Sequence, residues 1–167
     1  MLQLASYHAK FPTPFAVLGI RTLGKLLTDI EYLPHGAATL APLNRLAEEV
    51  CRQIECYLDD PEFRFDLPFE FNGTRFQCKV WRAIRGIPSG STTTYLAIAR
   101  RLATAPRPVG GACGANRIPL VIPCHRVVST NGLGGFMNAR RGSPLEIKRW
   151  LLQHEGSEPP MNADERR

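Results

Sequence analysis

Cys124, His125 and Arg126 stand side by side in the segment Ile-Pro-Leu-Val-Ile-Pro-Cys-His-Arg-Val-Val, residues 118–128. A thiol followed directly by an imidazole and a guanidinium lies among groups that favour the thiolate, the form that acts as a nucleophile. The apolar run before it has strand length and closes on Pro123, which predicts a buried strand that delivers these groups at the edge of a packed core. A structural cysteine beside a hydrogen-bonded histidine would carry the same three residues, so the flanking sequence has to decide.

Charge gives the first decision. The 167 residues carry a net charge of +6, unevenly spread. Residues 1–71 hold 6 Lys/Arg against 10 Asp/Glu, whereas residues 72–156 hold 13 Lys/Arg against Glu146 and Glu155 alone. A basic half joined to an acidic half is the expected footprint of a nucleic-acid-binding domain with a separate companion. The cysteines at 51, 56, 78, 113 and 124 are odd in number and include no CxxC pair. With no basic n-region and apolar h-region at the N-terminus, they predict reduced thiols in a cytoplasmic protein. The four histidines do not fall at metal-ligand spacing with them, so no metal site is expected. No apolar run approaches membrane-spanning length.

The elements that must position the Cys-His-Arg run follow from periodicity and breakers. Phe15 to Ile20 and Lys25 to Leu33 read as a hairpin with Gly24 in its turn. Leu43, Leu46, Ala47, Val50, Ile54 and Leu58 recur at helical spacing over 42–58, with Cys51 and Cys56 as small apolar fillers. A polar, aromatic-rich connection leads to a boundary near Phe71, giving a mixed sheet-and-helix domain over 1–71. A mostly helical domain over 72–156 and a disordered tail over 157–167 complete an α/β (α+β) layout.

Within the second domain Thr74 and Thr94 are candidate N-caps. The helix after Thr94 would turn Tyr95, Ile98, Ala99 and Leu102 inward. A short turn leads to a second helix, begun by Pro106 and running to about Ala115. On it Val109, Ala112, Cys113 and Asn116 share one face, and Arg107, Gly110, Gly111 and Gly114 share the other. Glycines cost helix stability, so three on one face imply close approach to another surface. Two short helices and a tight turn in a basic domain predict a helix-turn-helix. With one arginine on a nearly bare face, sequence-tolerant binding through the minor groove is expected, with Arg107 inserted. A flexible stretch over 129–141 precedes a helix opened by Ser143-Pro-Leu-Glu, a capping-box pattern. Leu145, Trp150, Leu151 and His154 are expected near one side of that helix, and Glu155-Gly156 closes it.

These motifs together resemble the O6-alkylguanine-DNA alkyltransferases, also called methylated-DNA–protein-cysteine methyltransferases. The likeness is close from Gly73 to Glu155, through Gly-Thr-Arg-Phe-Gln, Ile-Pro-Ser-Gly, Arg-Pro-Val-Gly-Gly-Ala, Asn116, Ile-Pro-Cys-His-Arg-Val and Trp-Leu-Leu-Gln-His-Glu, and loose over the first 71 residues. The resemblance implies single-turnover repair, in which Cys124 takes the alkyl group from O6-alkylguanine, or from O4-alkylthymine, in double-stranded DNA. His125 would receive the thiol proton through a water, with Glu155 orienting and charging the imidazole. Asn116 would tie the recognition helix to the cysteine segment, beside its plain reading as a helix C-cap. Tyr95 would donate to the base and help rotate the nucleotide, beside its plain reading as a core residue. Arg107 would replace the flipped base in the stack, Gly110 and Gly111 beside it would belong to the DNA-binding face, and Val127 and Phe136 would face the base. The resemblance implies no cofactor, no membrane and a monomer. Pro108, Arg117 and Phe136 depart from the commoner alanine, proline and tyrosine. The segment between Tyr95 and Arg107 is about two residues shorter than the common pattern.

Overall fold

A computed structural model describes residues 6–137 and 143–157. The chain divides into two compact units, Met1–Glu70 and Phe71–Arg167.

In the first unit β1 (Ala9–Pro12), β2 (Val17–Leu23) and β3 (Leu26–Leu33) form an antiparallel sheet in that order. The hairpin turn carries Gly24 at φ +59, the left-handed conformation a two-residue connection demands. A register shift between Arg21 and Thr22 marks a bulge just before it. The first strand was not read from the sequence, because Ala9–Pro12 is short and proline-ended. Helix α1 (Arg45–Asp59) starts three residues later than its periodicity suggests, because Asn44 caps it by accepting the Ala47 N–H at 2.8 Å. It buries Ala47, Val50, Cys51, Gln53, Ile54 and Tyr57, while Leu43 stays exposed. Cys51 is an apolar filler, and burial pushes its thiol up to about 11.

In the second unit α2 (Arg75–Arg85) opens on a complete capping box, Thr74 with Gln77. Its Trp81 indole donates to the Ala112 carbonyl at 2.8 Å, fastening α2 to the helix-turn-helix. The helix-turn-helix is α3 (Tyr95–Arg101), capped by Thr94, and α4 (Pro106–Gly114), with Pro106 in its first turn. The turn between them holds Ala103 at φ +54, a left-handed conformation compressed into four residues.

The strand expected over 118–122 does not form. Ile118, Leu120, Val121 and Ile122 are buried, but as turns, with Leu120 at φ +73 and the Ile122 N–H on the Ile118 carbonyl. Pro119 and Pro123 deprive the run of ladder donors, and an apolar run reads alike for a buried strand and a buried loop. Pro119 and Ile122 make one isolated bridge, Cys124–Arg126 is a single 3-10 turn, and the two-residue β5 (Val127–Val128) that follows is parallel to β4 (Thr93–Thr94). Helix α5 (Ser143–His154) begins at the expected serine, but the residues before it that would hold its cap lie outside the described ones. Its inner face is Leu145, Ile147, Lys148, Leu151 and Leu152, rather than the Trp150 and His154 side, which stack on each other at 4.9 Å. The expectations for residues 138–141 and for the tail beyond Ser157 fall outside the described residues.

Candidate active site

Cys124 is 4% exposed, where the 3-10 turn meets the end of α4. Asn116, two residues past α4, fixes it there. Its Nδ2 donates to Cys124 Sγ at 3.1 Å and to the Ile122 carbonyl at 2.8 Å, and its Oδ1 accepts the Ile118 N–H at 3.0 Å. One amide thus closes the 118–124 loop on itself and aims a donor at sulfur. Such a donor stabilises the thiolate. It is opposed by the neighbouring Cys113 thiol and then by burial, so the resting thiol is held well above its ordinary value. The nucleophile therefore needs its proton removed during reaction.

His125 is 1% exposed, and its Nε2 lies 2.9 Å from Glu155 Oε2. A carboxylate there fixes the tautomer: Nε2–H donates, and Nδ1 keeps its lone pair. Glu155 draws the ring towards its charged form, the role expected of it from the sequence, but that pull is outweighed. Burial lowers the imidazole pKa, and Arg126 and Lys148 lower it further against the raising effect of Glu155, so the ring rests neutral and can accept a proton.

Burial is the larger cause; Arg126, which the sequence reading set among the groups favouring the thiolate, holds the carboxylate instead. Its Nε and Nη2 grip Glu155 Oε1 and Oε2, each at 2.9 Å, and Nη1 donates to the Ile87 carbonyl at 2.7 Å. Burial would raise the Glu155 carboxyl, but the hydrogen bonds from His125 and Arg126 outweigh it and hold the group at about 2. The Ile87–Gly90 turn completes the clamp. Gly90 sits at φ +82, and a Cβ there would come 3.2 Å from the Glu155 carbonyl.

Glu155 consequently makes folding pH-dependent. Its folded pKa lies below the ordinary 4.5, so its contribution is complete above pH 4.5 and is lost as the pH falls towards 2. About 3 kcal/mol should disappear over that window. Glu155→Gln should cost roughly 3 kcal/mol at neutral pH by leaving the half-buried Arg126 with the Ile87 carbonyl but no carboxylate. The gap between the urea midpoints of wild type and variant should narrow at pH 3; a gap of constant size would remove Glu155 as the acid-sensitive group.

A missed residue is Lys148, which is fully buried at 0% exposure. Nζ donates to the carbonyls of Val127 at 2.7 Å and Gly135 at 2.8 Å, and to Tyr95 Oη at 3.4 Å. It also lies 5.6 Å from the Tyr95 ring centre and 6.0 Å from that of Phe136. Burial lowers its pKa to about 8, while Cys113 and Cys124 raise it. The signal was present in the sequence: Lys148 shares the helical spacing of Leu145, Leu151 and Leu152, an ionisable residue on an apolar face.

Tyr95 and Phe136 line the same pocket. Tyr95 Oη donates to the Gly135 carbonyl at 3.0 Å, and burial raises its pKa. Gly134, at φ +76, lets the loop lie on the Tyr95 ring, since a Cβ there would stand 2.8 Å from Cε2. The Val127 N–H donates to the Cys124 carbonyl, and its own carbonyl, taken once by Lys148, retains a second lone pair. Cys124, His125, Glu155, Asn116, Tyr95, Val127 and Phe136 thus all lie in the second unit, with Tyr95, Val127 and Phe136 around one buried ammonium. Arg107, Gly110 and Gly111 stand apart, on the outer side of α4. Arg107 is exposed, and a Cβ built at either glycine meets nothing within 4 Å. Packing within the unit therefore does not require those glycines.

The described residues contain no cluster of three or more His, Cys, Asp or Glu that could hold a metal ion, and no helix among them is long and apolar enough to cross a membrane.

Comparison with known proteins places this geometry. Residues 75–157 match the family model of the 6-O-methylguanine DNA methyltransferase DNA-binding domain. A methylated-DNA–protein-cysteine methyltransferase of Metallosphaera sedula is 46% identical over 151 residues, spanning 90% of this chain and 93% of its own. One from Haemophilus influenzae is 34% identical over 160 residues, spanning 90% and 87%. The crystal structure of Mycobacterium tuberculosis OGT in complex with DNA superposes with a TM-score of 0.74 at 30% identity, over 96% of this chain and 97% of that one.

Proposed function

Because this chain belongs to the methylated-DNA–protein-cysteine methyltransferase family, we propose that it repairs O6-alkylguanine, and O4-alkylthymine, in double-stranded DNA by moving the alkyl group irreversibly onto Cys124. The observation that carries this reading is a buried thiol that accepts from the Asn116 amide, next to a neutral, carboxylate-anchored imidazole.

The site's residues divide the work. Arg107 and the bare face of Gly110 and Gly111 approach the minor groove, with the basic charge of residues 72–156 attracting the phosphates. An alkylated base in the stack cannot reach a buried sulfur, so the nucleotide is rotated out and Arg107 fills its place. Phe136 and the Tyr95 ring give the base an apolar wall, and the Val127 carbonyl accepts from its edge. His125 Nδ1 takes the Cys124 proton through a bridging water, and the resulting imidazolium is balanced by Glu155. The thiolate attacks the alkyl carbon; the S–C bond forms as the C–O bond breaks, and its electron pair returns to the guanine. Electrons balance without a cofactor, and the thioether has no leaving path, so each molecule acts once. The protein works as a cytoplasmic monomer in this reading.

Intact-mass measurement after incubation with an oligonucleotide containing O6-methylguanine tests it. One methyl per molecule, on the tryptic peptide 118–126, is expected. Lesion binding without added mass would reduce the protein to a recognition factor.

A further inference from the structure

Helix α2 carries charge that its own stability does not call for. Arg75, Lys79 and Arg82 are all exposed, on the side opposite the buried Val80, Trp81 and Ile84. Like charges at these spacings face each other along a helix and repel. Arg75 also stands in the first turn, where the helix dipole favours an acid and none is present. The sequence supplies no neutralising partner nearby, since it holds no Asp or Glu between Glu70 and Glu146. Among the described residues no carboxylate pairs with Arg75, Lys79 or Arg82. Arg82 is nevertheless held in place, its guanidinium carbon 5.0 Å from the centre of the Phe71 ring. A face that serves solubility alone intersperses both signs of charge. A helix that breaks its local rules so consistently marks a surface kept for a partner.

A regular row of one sign on a capped helix fits the backbone of a nucleic acid. The 11 residues of α2 extend about 16 Å. That is the axial rise of about five base pairs. The helix lies in the same unit as α4 and is fastened to it through the Trp81 indole on the Ala112 carbonyl at 2.8 Å. We infer that Arg75, Lys79 and Arg82 form a phosphate track, which grips the same duplex as α4 beyond the stretch that α4 and Arg107 engage. The inference rests on the repair reading above and adds to it a contact that does not depend on the lesion. Phosphates carry no base identity, so the track holds damaged and undamaged duplex alike. It keeps the protein on DNA while α4 meets one base pair after another, and it adds binding energy against the cost of rotating a base out of the stack.

The salt dependence of binding counts such contacts, because each phosphate contact steepens the fall of log affinity with log salt by about 0.9. Fluorescence anisotropy with an undamaged duplex, over about 50 to 200 mM salt, reads it. The slope of the triple variant Arg75→Gln, Lys79→Gln, Arg82→Gln should be shallower than that of wild type by about 2.7. The pair Arg75→Gln, Lys79→Gln leaves Arg82 on the Phe71 ring and should lose about 1.8. A control triple, Lys25→Gln, Arg45→Gln, Arg64→Gln, removes the same charge from exposed positions of the first unit and should change the slope by less than about 0.5. Methyl transfer from free O6-methylguanine base, which has no phosphate, should stay within about twofold of wild type in all three variants. A wild-type slope in the α2 triple variant, an equal loss in the control, or a second duplex bound per wild-type molecule would each overturn the track and leave the repair reading standing. Wild type that binds no duplex would overturn both.

Discussion

Cys124→Ser is expected to accept no methyl group while binding lesion-containing duplex within about twofold of wild type. A hydroxyl is the nearest isostere of the thiol, so Asn116 Nδ2 can still donate to it and the loop it closes over 118–124 can stay shut. Stability should change by no more than about 1 kcal/mol, because a buried polar atom is exchanged for another with its partner kept. The chemistry is not kept. A serine hydroxyl ionises far above the range in which a neutral imidazole can relieve it of a proton, and oxygen is the poorer nucleophile towards an alkyl carbon. Transfer should fall by on the order of 10⁴-fold or more, the scale seen when a nucleophile is removed from an intact site. Intact mass after prolonged incubation with the methylated oligonucleotide reads the first effect, and fluorescence anisotropy reads the second. Residual methylation of the variant would place the acceptor elsewhere. Lost DNA binding would mean that Cys124 also organises α4 and its DNA-facing side.

The sequence disclosed some of this site and hid the rest for identifiable reasons. Caps and glycines were legible because their chemistry is local: Thr74, Thr94 and Gly24 do in the structure what their types demand. The Cys-His-Arg run announced itself by adjacency. What its environment would be did not follow, because burial and Arg126 come from contacts 29 or more residues away. Glu155 does draw His125 towards the charged form, but the carboxylate is shared with Arg126 and the buried ring rests neutral. The 118–122 run failed differently. Hydrophobicity correctly indicated burial, but it carries no information on whether a buried segment pairs, and Pro119 and Pro123 were the cue that it would not. Lys148 was hidden by habit, since a lysine in an amphipathic helix is normally placed on the wet side.

Lys148→Met should therefore produce the second large loss, and one with a signature of its own. Methionine retains the length and apolar body of the side chain, so the helix face between Leu145 and Leu151 remains filled. Three hydrogen bonds vanish, to Val127, Gly135 and Tyr95; the buried Val127 carbonyl loses its ammonium donor at a cost of about 1–3 kcal/mol, while the Gly135 carbonyl keeps the Tyr95 hydroxyl. Relief from burying an ammonium offsets part of that. For the reaction, the lost item is the cation that favours the Cys124 thiolate and fixes the loop carrying Phe136. Removing one preorganised electrostatic group costs about 10²–10³ in rate, and a loss of that order is expected at pH 7. A merely structural lysine would give a pH-independent loss, whereas this one titrates. Its pKa is lowered to about 8, so the ammonium is present below that pH and lost above it. The ratio of wild-type to variant transfer rates should accordingly be largest at pH 7 and should shrink by about tenfold or more at pH 9.5, as wild type loses the charge that the variant never had. Single-turnover rates at the two pH values settle it: a ratio unchanged between them would leave Lys148 as a strut for the loop and return the task of favouring the thiolate to Asn116 alone.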